Sequence, residues 1–295
     1  MFAEAAAPAL KIVRRSQNDS VFAKRGEAYT LLQGDSLELM AQLPEQSFDL
    51  IFADPPYFLS NGGTTCKNGK RVSVAKGQWD VSRGVEEDHA FTTKWLAACQ
   101  RLLRPTGTLW VSGTQHVIFN AGFAMQKLGY KLLNTVTWYK PNASPNLACR
   151  YFTHSTELLI WASPSSGGKL KHVFNYQRMK AENGGKQMRD VWNLPRNGDE
   201  ELTADGAGRM WTQTAPRGEE KAFGSHPTQK PVALLERILE ASCPENSLIL
   251  DPFNGSGTTG VAALKHGHRY VGIDMNPEYL ALSKKRLDAT LKQSP

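Results

Sequence analysis

Two short runs in this 295-residue chain collect residue types that serve chemistry better than they serve folding. The first, Asp54-Pro55-Pro56-Tyr57, directly follows the apolar run Phe48-Asp49-Leu50-Ile51-Phe52-Ala53. That run has the length and composition of a buried strand. An acid, two prolines and a tyrosine at its end put a carboxylate, stiff backbone carbonyls and a flat ring at the mouth of a sheet. The prolines offer no N–H, so neighbouring carbonyls stay open to an incoming amine. The second run is Asp251-Pro252-Phe253-Asn254-Gly255-Ser256-Gly257-Thr258-Thr259-Gly260, which follows Leu248-Ile249-Leu250 and opens a helix. Gly255 and Gly257 permit a tight turn in which a ligand lies against bare backbone. One strand later comes Asp274, after Tyr270-Val271-Gly272-Ile273, where an acid is placed to accept both hydroxyls of a ribose.

The elements that must position these groups alternate along the chain. Seven strands are predicted: 29–32, 48–53, 109–112, 136–139, 158–161, 248–250 and 270–273. Helical periodicity is predicted over 36–43, 91–103, 120–128, 232–242, 259–265 and 278–291. Alternation of this kind implies an α/β fold, a mainly parallel sheet with helices on both faces. Strands 136–139 and 158–161 have no helix between them, only a Pro- and Asn-rich stretch.

Two stretches break the rhythm. Residues 58–84 combine Gly62, Gly63, Gly69 and Gly77 with Lys67, Lys70, Arg71, Lys76 and Arg83 against one acid, Asp80, and read as a mobile basic loop. Residues 165–223 begin basic, with Lys169, Lys171, Arg178, Lys180, Lys186, Arg189 and Arg196, and turn more acidic from Asp199. Basic residues interleaved with Tyr176 and Trp192 suit phosphate and base contacts; a solvated insertion with charges of both signs is the alternative.

A formal net charge of +7 favours an acidic partner without requiring one. Four cysteines, Cys66, Cys99, Cys149 and Cys243, lack C-x-x-C spacing, so neither a metal site nor a disulfide framework is expected. The start of the chain is shorter than a complete signal peptide, and no apolar run reaches the roughly 20 residues of a membrane span. The reading is a soluble, cytoplasmic protein.

These motifs resemble those of the amino-methyltransferases of DNA, which use S-adenosylmethionine (SAM). Phe253-Asn254-Gly255-Ser256-Gly257 is similar to that family's cofactor loop, and Asp54-Pro55-Pro56-Tyr57 to its catalytic motif. His226-Pro227-Thr228-Gln229-Lys230-Pro231 is similar to the segment preceding the cofactor loop in one subgroup. The order of the motifs looks like the circularly permuted beta subgroup, and the solitary adenine enzymes of the YhdJ type are the nearer resemblance.

The resemblance implies a SAM-dependent methyltransferase (Rossmann-like) fold with an inserted target-recognition region. The divisions expected are an extension over 1–28, a catalytic half over 29–164, the recognition insertion over 165–223 and a SAM-binding half over 224–295. It implies SAM contacts from Asp35, Ser36, Thr228, Lys230, Asp251, Phe253, Asn254, Gly255, Ser256, Gly257, Thr258 and Asp274, with Thr228 and Lys230 near the methionine carboxylate. No metal is called for. The partner is duplex DNA, contacted by the basic residues of both irregular stretches.

The target amine of a flipped base would donate to Asp54 and to the Pro55 carbonyl, while Tyr57 would offer its ring face for stacking. A contact through the ring alone would leave Phe an adequate replacement. Within the family an acid at position 54 is typical of adenine-N6 enzymes and serine of cytosine-N4 enzymes. RNA or protein-amide methylation, and a DNA-binding module without catalysis, are the other readings. A dinucleotide-dependent dehydrogenase would require G-x-G-x-x-G after an early strand, which the sequence lacks.

Overall fold

The computed structural model describes residues 21–60, 64–67, 70–73, 80–140, 143, 145–146, 149–165, 167–169, 171–193, 201–202, 209–210, 218–224 and 226–293. The elements run β1 (Val21–Arg25), β2 (Tyr29–Gln33), α1 (Ser36–Gln42), β3 (Phe48–Ala53), a hairpin of β4 (Thr64–Lys67) and β5 (Lys70–Ser73), α2 (Val85–Leu102) and β6 (Leu103–Gly113). They continue with α3 (Ile118–Lys127), β7 (Lys131–Tyr139), β8 (Thr156–Ser163), α4 (Tyr176–Glu182), β9 (Val191–Asn193) and a short pair, β10 (Glu201–Leu202) and β11 (Arg209–Met210). The chain closes with α5 (Val232–Ser242), β12 (Leu248–Asp251), α6 (Thr258–Lys265), β13 (Arg269–Asp274) and α7 (Pro277–Gln293).

The main sheet has the order β1-β2-β13-β12-β3-β6-β8-β7-β9. Strands β2, β13, β12, β3 and β6 run parallel to one another, and β1 pairs antiparallel with β2. β8 runs antiparallel to both β6 and β7, the pairing expected where no crossover helix intervenes. All seven expected strands lie in this sheet. β1 and β9 extend it to nine at its two edges; each is short, and β1 lies in the stretch read as an extension.

Burial explains why β3 reads as one continuous apolar run. All six of its residues are buried, and from Leu50 to Ala53 successive side chains enter opposite layers. Leu50 and Phe52 pack with Leu234, Leu235 and Ile238 of α5 and Ala262 of α6. Phe48, Ile51 and Ala53 pack with Met40 of α1, Trp95 and Leu96 of α2 and Met125 of α3. Helices therefore cover both faces. Because β3, β12 and β13 are adjacent and parallel, the groups at their C-terminal ends must share one edge of the sheet.

The insertion departs from its sequence reading. Trp192 is only 6% exposed and packs on Trp110, their ring centroids 5.7 Å apart, while its Nε1 donates to Arg189 O at 3.0 Å. It is a core residue, not a platform for bases. Ahead of α4, Asn175 Nδ2 donates to Glu240 O and Cys243 O, so this helix sits at the C-terminal end of α5, remote from the edge that bears Asp54. Among the described residues no helix is long and apolar enough to cross a membrane.

Candidate active site

At the C-terminal edge of the sheet lies a cavity of about 690 Å³. Its lining includes Asp54, Pro55, Pro56 and Tyr57 from the β3 end, Asp251 to Ser256 and Thr258 from the β12 end, and Asp274 from the β13 end. Asp35 and Ser36 after β2, and Thr228 and Lys230 before α5, also face it. One cavity thus gathers every residue expected to act on the amine and nearly all of those expected at the cofactor. Gly257 does not line it.

Gly257 has a structural duty instead. It caps α6 at φ 71°, and a Cβ there would lie 2.0 Å from Ser283 Oγ of α7. Only glycine tolerates both the left-handed backbone and that approach. Gly255, at φ 50°, lies under the His226 ring, and its N–H donates to Asp274 Oδ2 at 2.8 Å. The other Asp274 oxygen accepts from Asn276 N at 2.9 Å. Burial raises the Asp274 carboxyl to about 6 in spite of these donors. Asn254 is buried and ties the loop to β13, its Oδ1 accepting from Tyr270 Oη at 2.8 Å. Ser256 and Thr258 meet Arg286 Nη1, each at 3.0 Å. Phe253 packs edge-on against Trp95 at 5.6 Å. Asp35 caps α1, its Oδ1 accepting from Leu37 N and Glu38 N at 2.8 and 3.1 Å.

Around Asp54 the geometry corrects two sequence expectations. Lys230, expected near the cofactor's methionine carboxylate, is buried and donates to Asp54 Oδ2 at 2.5 Å. Tyr57 does more than present a ring: its hydroxyl donates to Asp54 Oδ1 at 2.8 Å and lies 3.1 Å from Ser112 Oγ of β6. Phenylalanine would lose that bond. One face of the Tyr57 ring carries the Lys230 ammonium, 5.3 Å from its centroid. Burial raises the Asp54 carboxyl above its ordinary range, opposed by Lys230 and by the Tyr57 hydroxyl.

Two acids went unassigned in the sequence. Asp80 is buried and accepts from the N–H groups of Tyr57, Phe58 and Leu59 at 2.8, 2.8 and 3.2 Å, and from Ser60 Oγ at 2.7 Å. It clamps the turn that follows Asp54, so this part of the loop expected to be mobile is tightly bonded. Phe58 sits at φ 56° within that clamp. The second acid, Glu157 at the start of β8, lies 3.7 Å from Lys230 Nζ. An acid opening the otherwise apolar Leu158–Ala162 was the available signal.

The expected DNA contacts do not assemble here. Arg178 pairs with Glu182 at 3.2 Å and also with Glu240 of α5, at the far end of that helix. Its nearer neighbours Lys169 and Lys171 are exposed and Lys180 is half-buried, none of them lining the cavity. Arg189 is exposed before β9. Lys76 and Arg196 lie outside the described residues, as do the side chains of Lys67, Lys70 and Arg71. Arg83, from the same basic loop, does line the cavity.

Comparison with known proteins finds relatives both in sequence and in fold. The chain is 47% identical to the Type II methyltransferase M2.LlaDCHI of Lactococcus lactis subsp. cremoris, over 88% of each chain. It is 47% identical to the Type II methyltransferase M2.DpnII of Streptococcus pneumoniae, over 88% of this chain and 89% of that one. Among solved structures it is similar to PvuII DNA methyltransferase (cytosine-N4-specific), with TM-score 0.66, 18% identity and coverage of 93% and 94%. It is also similar to the M1.HpyAVI–SAM complex, with TM-score 0.57, 23% identity and coverage of 88% and 99%. Residues 48–285, from β3 into α7, match the DNA methylase family, and the chain belongs to it.

Proposed function

We propose that this protein is a site-specific DNA adenine-N6 methyltransferase that takes its methyl group from SAM. The carrying observation is the shared cavity, lined by Asp54 after β3, by the glycine-rich turn after β12 and by Asp274 beside that turn. Its volume lies in the upper half of the roughly 300–1,000 Å³ usual for ligand sites, consistent with a cofactor and a base together.

The residues fit SAM. Asp274 offers two carboxylate oxygens, which accept from Gly255 N and Asn276 N and keep acceptor capacity for ribose hydroxyls. Gly255 presents bare backbone, Phe253 an aromatic wall, and Asp35 a carboxylate near the end of β2 for an adenine amine. When bound, SAM supplies a methyl group on a sulfonium, already activated for transfer to nitrogen.

The protein's part is to prepare the acceptor. An exocyclic amine is a weak nucleophile because its lone pair is delocalised into the ring. Asp54 and the Pro55 carbonyl accept its two hydrogens, holding the nitrogen in line and drawing it toward pyramidal geometry. Asp54 also accepts the proton that the nitrogen must shed after gaining a methyl group. Since this cavity cannot be reached from within a duplex, the base is flipped out and stacks on Tyr57. An acid at position 54, as in the adenine enzymes the motif resembles, favours adenine over cytosine.

Sequence recognition falls within 165–223, and chiefly in its second half. β9 runs parallel to β7, which places Asn193 at the cavity end of the sheet. The chain returns there at Glu220, which accepts from Val232 N at 3.2 Å at the start of α5. Asn193 and Glu220 therefore both lie on the side where DNA must lie, whereas Lys169 to Lys180 do not. We read the order of motifs as the circularly permuted arrangement, and the protein as a cytoplasmic enzyme that associates with the nucleoid while bound to DNA.

Incubation with genomic DNA and methyl-labelled SAM, followed by nucleoside chromatography, tests the proposal. Label in N6-methyladenine supports it. Label in N4-methylcytosine, or methylation of RNA in preference to DNA, would overturn it.

A further inference from the structure

As the structure holds it, Asp54 would meet an incoming amine with a cation already on one oxygen and a hydroxyl on the other. Lys230 Nζ lies 2.5 Å from Oδ2 and Tyr57 Oη lies 2.8 Å from Oδ1. A cation on that carboxylate opposes the positive charge that develops on an attacking nitrogen. It also takes up acceptor capacity that must orient the amine. Lys230 has to be drawn aside.

Glu157 is placed to do this. Its Oε1 accepts from Lys140 Nζ at 2.6 Å, and Lys140 itself lies over the Trp138 ring at 5.5 Å. Its Oε2 is buried without a hydrogen-bond partner, 3.7 Å from Lys230 Nζ. The side chains of Lys230, Asp54 and Glu157 are 8, 15 and 13% exposed, so water screens their interactions weakly. A buried carboxylate oxygen left without a donor is costly, and a movement of Lys230 by about 1 Å would satisfy it.

We infer that Glu157 is a positioning residue which takes over Lys230 when the target amine reaches Asp54, making Lys230 a gate on the catalytic carboxylate. Two carboxylates and two ammonium groups are present before and after the movement, so the exchange needs no proton transfer and leaves no net charge buried. The inference rests on the reading of Asp54 as the amine's acceptor.

The test is single-turnover methylation of genomic DNA by Glu157→Gln and Glu157→Asp, each normalised to the enzyme that binds SAM in a titration. Gln preserves volume and removes charge, whereas Asp preserves charge and shortens the side chain. A gate requires charge: Gln should lose about tenfold or more in rate with SAM affinity and DNA KM near parental, and Asp should retain most of the rate. Packing alone requires the reverse order. Gln equal to the parent, or better than Asp, overturns the inference. In a Lys230→Gln background, Glu157→Gln should bring no further loss of single-turnover rate. A loss as large as in the parent means that Glu157 does not act through Lys230. Asp54→Ala separates the two readings: parental turnover there removes the role of Asp54 itself, while loss there with a parental Glu157→Gln removes only the gate.

Discussion

Neighbouring parallel strands β3 and β12 end alike, in Asp54-Pro55 and Asp251-Pro252, each with an aromatic residue close behind. Their carboxylates nevertheless have opposite fates. Asp251 turns inward and is bonded by its own loop, Oδ1 accepting from Phe253 N at 3.0 Å and Oδ2 from Thr259 Oγ1 at 2.6 Å. Asp54 is held by side chains alone, one of them Lys230 from far along the chain. The second proline makes the difference. Pro55 and Pro56 have no N–H to offer, and the next N–H groups are taken by Asp80. A carboxylate that its own loop cannot satisfy stays available for exchangeable partners. A carboxylate satisfied by its loop becomes part of the scaffold.

The comparison breaks most sharply at Asp54. Asp54→Ala is expected to reduce methyl transfer by ~10²–10³-fold, with SAM affinity near parental. Single-turnover assay beside a SAM titration checks both halves. A variant within a few-fold of the parent would mean that the side-chain-held carboxylate has no special role.

Asp274 tests whether the scaffold side of the cavity binds the cofactor. Its replacement by alanine removes two carboxylate oxygens and should raise the SAM dissociation constant by ~10- to 100-fold. DNA affinity should change little. Calorimetry showing parental SAM binding would contradict the assignment.

Tyr57 sharpens the distinction between ring and hydroxyl. Tyr57→Phe leaves the stacking face but removes the donor to Asp54 Oδ1, and a loss of about tenfold in turnover is expected. Tyr57→Ala should lose more and should also weaken base capture. Full activity in the Phe variant would show that the hydroxyl does not orient the carboxylate.

The smallest effect is expected at Asp251, and it is one of stability. Burial raises its carboxyl from 3.8 to about 7. Between those values the folded chain keeps a proton that the unfolded chain releases, so rising pH favours unfolding until the penalty is complete above about 7. Asp251→Asn cannot ionise, and its melting temperature should exceed the parent's by roughly 2–4 °C at pH 8 and by less at pH 5. Asp54 and Asp274 are raised as well, so the pH slope should flatten without vanishing. An unchanged slope would show that Asp251 is charged in the folded protein.

Much of the frame was legible from local pattern. All seven expected strands lie in the sheet, and α5 has the limits its periodicity predicted, because buried strands and amphipathic helices write their burial into residue type. β1 and β9 escaped because five and three residues carry too little periodicity and only edge pairing defines them. Charge was the least reliable guide. Arg178 belongs to the same basic run as Arg189, yet it is bound to Glu182 and Glu240, and composition does not reveal whether a cation already has an internal partner.

By itself the sequence determined that acids and glycines stand at the ends of buried strands, because strand, turn and helix are decided within a few residues of each other. The tertiary structure alone decided which of those acids are spent and which are exchangeable. Lys230 lies 176 positions from Asp54, and Glu157 reaches the same lysine from β8. Contacts of that separation exist only once the parallel strands have aligned their ends and burial has made each unpaired charge expensive.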